Sequence, residues 1–394
     1  MKEKMNKIPV FYACDDNFVK YTMVSLQSMM DHASKEVQYE IHVLHTNISE
    51  EMQKKMYAME NANFSVQFDH VTEYLHSIQE KLPLRDYYSK TTYFRLFIAE
   101  MFPEIDKAIY IDSDTIVLGD IAQLYAYDLG DAYVGACREQ VMIQEDVYGT
   151  YVEKVLGVER DNYFNAGMLV INCEQFRKNH VLEQFMELLP MYNFVVTQDE
   201  DYLNLICHNK VCWLPQKWNV EVFGQIPCRE EEICVLHYIM VSKPWHYSDC
   251  RLQEYFWESA EKSSVYADGK WYNEVKGLSN VAGRKKQAIS AVAVKVSKGN
   301  IKYRVHLLNG DWLPWVDGYD INDSNNGYAG IKGKVIDAIQ VEFSGVGDYK
   351  ATYRVRKQRA GFWDWQHNTE KDSSQDGYAG LFGNKIDGLQ ITLT

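Results

Sequence analysis

Two hydrophobic patterns divide this chain of 394 residues. Up to about residue 280, short continuous apolar runs alternate with stretches whose apolar positions recur at helical spacing. The runs include residues 8–14 (IPVFYAC), 39–46 (YEIHVLHT), 107–118 (KAIYIDSDTIVL) and 166–172 (AGMLVIN). The helical stretches include 21–32, 49–60 and 181–189. Runs that are apolar on both faces, set between amphipathic helices, predict a largely parallel α/β sheet covered on both sides. After the basic stretch Gly283-Arg284-Lys285-Lys286-Gln287 the pattern changes: short β-type runs alternate with Gly, Asn and Asp turns, as in a separate all-β module. The expected division is an α/β domain over 1–280 and a β module over 288–394.

The module repeats itself at a spacing of 50 residues. Tyr303-Arg304-Val305 returns as Tyr353-Arg354-Val355, and Trp315 returns as Trp365. Gly327-Tyr328-Ala329-Gly330 returns as Gly377-Tyr378-Ala379-Gly380, and Ile336-Asp337 as Ile386-Asp387. A strand-like segment appears three times, at 289–294, 336–343 and 386–393. The aligned glycines are expected to hold turns of positive φ. The tryptophans are expected to form a shared core, the alternative being outward faces that stack on glycan.

Composition narrows the partners. Formal net charge is −14, which sets the surface against a phosphate backbone and argues against nucleic acid. A nucleotide escorted by a divalent cation remains compatible, because the metal supplies the local positive charge. Aromatic residues reach 13%, a composition suited to sugar stacking or to a tyrosine-rich core. The N-terminal residues lack the apolar segment of a signal peptide, and no stretch approaches the ~20 apolar residues that span a bilayer. The eight cysteines lie between Cys14 and Cys250 without a Cys-x-x-Cys pair, as expected of reduced thiols in a cytoplasmic protein. Arg284-Lys285-Lys286 adds only ~1 kcal/mol per charge at an anionic membrane, so any association there is peripheral.

The strongest local signal is Tyr110-Ile111-Asp112-Ser113-Asp114, where an apolar strand runs into two carboxylates separated by one residue. On extended backbone, positions i and i+2 share a face, so both carboxylates reach one point. Hard divalent cations take such oxygen ligands, and open α/β sheets bind ligands at the carboxyl ends of their strands. A turn stabilised by local Asp hydrogen bonds is the bland alternative. Other polar segments punctuate the same domain: Ala13-Cys14-Asp15-Asp16-Asn17, Thr91–Arg95, Asn165-Ala166-Gly167, Gln198-Asp199-Glu200-Asp201, and His237 to Trp245. The first of these ends a strand with groups able to grip a base and ribose.

In this order and spacing, from roughly residue 8 to residue 257, these segments resemble glycosyltransferase family 8. That family comprises retaining, UDP-sugar-dependent enzymes of the GT-A fold. The resemblance implies that Asp112, Asp114 and His237 bind Mn²⁺ (or Mg²⁺), and that Lys243 contacts the pyrophosphate. It places Ala13, Asp15, Asn17 and Ser113 on the nucleoside, and Arg95, Asn165, Ala166 and Asp199 on the donor sugar. Asp199 and Glu200 take the catalytic positions. Two residues depart from the family pattern. Glu200 stands where a Gln is usual, and it is open between nucleophile, electrostatic stabiliser and acceptor contact. Met240 stands where a Gly is usual, which removes any need for positive φ and leads to the expectation of a differently running loop.

The C-terminal units are similar to clostridial hydrophobic-tryptophan (ChW) repeats, whose partners would be a glycan or a protein. The implied activity is hexosyl transfer, of glucose or galactose, from a UDP-sugar to a glycan or glycoprotein acceptor. The contrasting reading is a lectin-like protein with a degenerate transferase domain, against which the intact Asp112, Asp114, His237 and Lys243 speak.

Overall fold

The computed structural model of the protein describes residues 7–76, 90–192, 194, 196–247, 250–263, 271–272, 274–331 and 333–394. The chain separates into two units, Met1–Arg251 and Leu252–Thr394.

In the first unit the apolar runs become strands β1 (Lys7–Ala13), β2 (Gln38–His45), β3 (Phe64–His70), β4 (Lys107–Ile111), β5 (Thr115–Val117), β6 (Val134–Arg138), β7 (Phe164–Asn172) and β8 (Val211–Trp213). Seven of them form one sheet in the order β3-β2-β1-β4-β7-β6-β8. Strands β1 to β4 pair in parallel, but β7 runs antiparallel to both β4 and β6. The sheet is therefore mixed by a single strand: β6 and β8 pair in parallel and β7 alone is reversed, so the expectation of a largely parallel sheet holds. An apolar run reports that both faces of a strand are covered; it carries no information on direction. The helices fall at Val19–His32, Glu50–Tyr57 and Val181–Leu188, within a few residues of their predicted spans.

The run 107–118 is not one strand. It breaks at Asp112-Ser113-Asp114, and β5 leaves to join a second sheet with β9 (Val220–Glu221) and β10 (Val235–His237). Thr115 pairs with His237 across the β5–β10 ladder, and His237 pairs with Glu221 across β10–β9. This small sheet delivers His237 beside the two aspartates. Helix Val19–His32 fixes the same segment with hydroxyls three residues apart. Thr22 bonds Ser113 at 2.8 Å, Ser25 bonds Thr115 at 3.0 Å, and Ser28 accepts from the Val117 amide at 2.9 Å. All these groups are buried, where an unpaired hydroxyl would be costly, so the pairing also sets the helix register.

The second unit contains helix Gln253–Lys262 and strands β11 (Ala291–Val292), β12 (Asn300–Leu307), β13 (Ala329–Gly330), β14 (Ile336–Ser344), β15 (Ala351–Lys357), β16 (Gln366–His367), β17 (Ala379–Gly380) and β18 (Ile386–Leu393). The helix lies within the first stretch of the sequence pattern, yet Glu261 accepts from the Ala288 amide and Glu258 pairs with Arg359 at 2.9 Å. The repeat has a structural counterpart. The β12–β14 pairing, Ile301 to Phe343 with a bulge at His306/Leu307, is copied by β15–β18, Ala351 to Leu393 with a bulge at Arg356/Lys357.

Three Ala-Gly units then close a ring. Ala329-Gly330 pairs with β11, Ala379-Gly380 pairs with β14, and Ala282 bridges Leu389 of β18. At the centre, Ile289 donates to the Ile386 carbonyl at 2.9 Å and accepts from the Ile336 amide at 3.0 Å. Gly330 and Gly380 have φ of +133° and +123°, as expected, and each lies against the backbone of the preceding segment. Among the other aligned pair Gly377 has positive φ, whereas Gly327 is crowded by the Asp320 carbonyl and needs space instead.

Trp315 and Trp365 do not form the core, which corrects that expectation. The core holds Tyr303, Val305, Ile336, Ile339, Tyr353, Val355 and Ile386. The tyrosines can be buried because each hydroxyl reaches a carbonyl, of Gly318 and of Asn368, both at 2.7 Å. The indoles stay half-exposed, with Arg304 at 4.7 Å over Trp315 and Arg354 at 4.3 Å over Trp365.

Candidate active site

Asp112, Asp114 and His237 converge where β4 ends. Their ligand atoms all lie within 4.8 Å of one another. His237 Nε2 is 3.2 Å from Asp114 Oδ1 and 3.9 Å from Asp112 Oδ2. The other oxygens are occupied: Asp112 Oδ1 accepts from the Tyr110 hydroxyl at 2.7 Å and faces Arg95 at 3.3 Å, and Asp114 Oδ2 pairs with Lys243. Burial works against ionisation of Asp114, but Lys243 and then His237 hold its carboxyl well below the usual range.

Two carboxylate oxygens and one imidazole nitrogen on a common point are the donor chemistry of a Mn²⁺ or Mg²⁺ site. Gly167 makes room for it. A Cβ there would overlap His237 Cε1 and lie 2.7 Å from Asp112 Oδ2. The residues present therefore fit a divalent cation.

Lys243 is held from two sides. Its ammonium donates to the Tyr238 carbonyl as well as to Asp114. The following Trp245 stacks on Tyr21 of helix Val19–His32, with ring centroids 3.8 Å apart. Met240 in the same loop has φ of +55°. The expectation that a methionine would release this position from positive φ is corrected: the loop keeps the left-handed turn, and Met240 bears the strain.

A second cluster surrounds Arg95, which is buried. Its guanidinium meets Asp199 at 3.0 Å, Asp112 at 3.3 Å and the Ala166 carbonyl, over the Tyr110 ring at 4.4 Å. Burial, opposed by Arg95, pushes the Asp199 carboxyl up to about 6. Asp199, Glu200 and Asp201 open helix Asp199–Cys207, where the helix N-terminus favours negative charge. Glu200 accepts from the Ala166 amide at 2.7 Å; burial and then Glu139 raise its carboxyl well above the usual range. Asp201 is structural, taking the hydroxyls of Tyr151 and Tyr163, each at 2.8 Å.

The predicted residues fall into place unevenly. Arg95, Asp112, Asp114, Asn165, Ala166, Asp199, Glu200, His237 and Lys243 are joined by the contacts above or by the asparagine bonds described below, and Ser113 stands between the two aspartates with its hydroxyl on Thr22. Ala13, Asp15 and Asn17 close β1 and the turn after it, on the strand beside β4. There Asp15 Oδ1 accepts from the amides of Asn17 and Phe18 at 2.9 and 3.0 Å, so this carboxylate builds the turn. Thr22, Ser25, Ser28, Gly167, Asn219, Glu139 and Glu221 were not anticipated. A hydroxyl every third residue in an apolar helix, and a glycine inside a strand, were the available signals.

A model described as Glycosyl transferase family 8 matches residues 9–249, more than half of the sequence. The chain belongs to that family. A putative glycosyltransferase of Haemophilus influenzae is 28% identical over 246 residues, covering 60% of this chain and 72% of the relative. The lipopolysaccharide 1,3-galactosyltransferase of Salmonella typhimurium is 23% identical over 276 residues, covering 66% of this chain and 79% of that protein. The solved structure of the galactosyltransferase LgtC with donor and acceptor sugar analogs is 26% identical at a TM-score of 0.55, covering 65% of this chain and 96% of that one. An active-site variant of LgtC with glutamate in place of a glutamine matches equally well. For this family 8 chain the match supports a GT-A-like nucleotide-sugar transferase fold in the first unit.

Proposed function

We propose that this family 8 enzyme transfers a hexose, glucose or galactose, from a UDP-sugar to a glycan or glycoprotein acceptor with retention of anomeric configuration. The convergence of Asp112, Asp114 and His237 over Gly167, with Lys243 alongside, carries this reading. When bound there, Mn²⁺ or Mg²⁺ supplies positive charge to the diphosphate leaving group. Lys243 would add a second positive charge at the same leaving group. Ala13, Asp15, Asn17 and Ser113 hold the nucleoside. Arg95, Asn165, Ala166 and Asp199 orient the donor sugar, and Glu200 stabilises the positive charge that develops as its bond to UDP breaks.

The first unit is read as the catalytic domain and the ring of the second as a ChW-type repeat domain that binds a glycan or a protein partner. No helix among the described residues is long and apolar enough to cross a membrane. A cytoplasmic setting, with any membrane contact peripheral, completes the reading, supported by a cysteine pattern without a Cys-x-x-Cys pair. The intact charge set speaks against a degenerate domain serving only as a lectin.

Release of UDP from UDP-glucose, UDP-galactose and UDP-N-acetylglucosamine, with Mn²⁺ and with EDTA, tests the proposal. Metal-dependent turnover of a UDP-hexose is expected. Absence of turnover together with absence of UDP binding by calorimetry would overturn it.

A further inference from the structure

His237 does more than face the aspartates; it is bonded from behind. Its Nδ1 lies 3.1 Å from Asn219 Oδ1, and Asn219 Nδ2 lies 2.8 Å from Asn165 Oδ1. Asn165 Oδ1 also receives the Gly167 amide at 2.9 Å, and Asn165 Nδ2 donates to Glu139 Oε2. Glu139 is hydrogen-bonded to Glu221, whose carboxylate accepts from the Gln140 amide at 3.0 Å. All of these side chains are buried.

The direction of this chain of bonds is not free. The Gly167 N–H can only donate, so the Asn165 atom it meets must be the oxygen, and the Asn165 amide nitrogen must face Glu139. Asn219 must then donate to that oxygen, which turns its own oxygen toward His237. An oxygen facing Nδ1 requires a proton on Nδ1. A backbone amide thus sets the tautomer of an imidazole through two asparagines.

We propose that Asn219 is a positioning residue for the cation centre, fixing His237 with its proton on Nδ1 and its Nε2 lone pair aimed at the point shared with Asp112 and Asp114. This rests on the reading of those three residues as a divalent-cation site. The consequence is selectivity. An imidazole nitrogen favours a transition metal such as Mn²⁺ over Mg²⁺, whereas the two carboxylates serve both. Loss of the His237 orientation should therefore cost Mn²⁺ affinity and leave Mg²⁺ affinity nearly intact. General collapse of the site would weaken both.

The test is titration of the full chain with MnCl₂ and with MgCl₂ by calorimetry, for the wild type, Asn219→Leu and Asn219→Asp. Spin-echo detection of imidazole ¹⁴N coupling to bound Mn²⁺ accompanies it. In Asn219→Leu, Mn²⁺ affinity is expected to fall about 10–100-fold, Mg²⁺ affinity to move by less than about threefold, and the nitrogen coupling to disappear. Asn219→Asp keeps an oxygen on Nδ1 and should keep the coupling. Wild-type Mn²⁺ affinity in Asn219→Leu, or equal losses of Mn²⁺ and Mg²⁺, would overturn the inference alone. No cation binding by the wild-type chain would overturn the cation-site reading and the inference with it. Should Asn219→Leu fail to fold, ¹⁵N-histidine spectra of the wild type decide: a metal-free His237 carrying its proton on Nε2 refutes the proposal.

Discussion

Replacing Gly167 by alanine tests the cation site through a single methyl group. The added Cβ would sit 2.7 Å from Asp112 Oδ2, 3.0 Å from His237 Nε2, and in overlap with His237 Cε1. Ordinary carbon–carbon contact is about 3.5 Å, so the imidazole must retreat by about 1 Å. Ligand positions in metal sites tolerate only about 0.2 Å, and His237 is backed by Asn219, so the retreat breaks a buried hydrogen bond as well. Moving β7 instead would stretch the 2.7 Å bond from the Asp112 amide to the Gly167 carbonyl. Either route forfeits one of three protein ligands, and a misplacement of about 1 Å costs on the order of 100-fold, or about 3 kcal/mol. Gly167→Ala is therefore expected to bind Mn²⁺ about 100-fold more weakly by calorimetry, with a parallel loss of metal-dependent UDP release. Circular dichroism should still report a folded chain. Binding within about threefold of the wild type would show that nothing is held against Gly167, and the geometric argument for the site would fail.

Three other substitutions follow from particular contacts. Asp199, with its carboxyl raised from 3.8 to about 6, binds its proton more tightly folded than unfolded, so stability falls as pH climbs through that interval, by up to about 3 kcal/mol. Asp199→Asn mimics the protonated form; its stability relative to wild type should rise by most of that amount between pH 4 and pH 7.5 while turnover is lost, and a pH-independent difference would refute this. Met240→Gly relieves a φ of +55° at a half-exposed side chain, and should leave the melting temperature unchanged or raise it by up to about 4 °C; a clear fall would contradict the strain. Burial and Glu139 favour the protonated form of Glu200, so its contribution should grow with pH as the carboxyl ionises. Glu200→Gln keeps an acceptor for the Ala166 amide but can never carry that charge, and kcat should drop about 100-fold. Nearly full turnover would end any special role for Glu200.

The sequence pattern located elements well and their relations less well. Apolar runs marked β1, β2, β4 and β7 and the helices between them, because burial on both faces of a strand is written into composition. The antiparallel course of β7 was invisible for the same reason: reversing a uniformly apolar strand changes neither face. The 50-residue repeat was visible residue by residue, and the structure adds that its three strand-like segments close on one another through Ile289, Ile336 and Ile386. The tryptophans were misplaced because size and apolarity suggest a core. A buried indole N–H needs a partner inside, whereas the Tyr303 and Tyr353 hydroxyls find carbonyls within reach.

The candidate site divides along the same line. Its acidic and basic members stand in local motifs, since two carboxylates on one strand end need only a period of two. What orients them does not. Asn219 lies in a segment with no distinguishing composition, and Glu139 and Glu221 are separated from Asn165 by 26 and 56 positions in the chain. They matter because the mixed sheet and the small β5–β10–β9 sheet bring three chain segments to one buried spot, where every polar atom must find a partner. Polarity in such a cluster propagates from whichever donor cannot be reversed, here a backbone amide. A linear sequence specifies that donor but not its neighbours. The paired aspartates were therefore legible from spacing and His237 through the resemblance to the family, while the polarity of the bonds behind His237 became legible only from the fold.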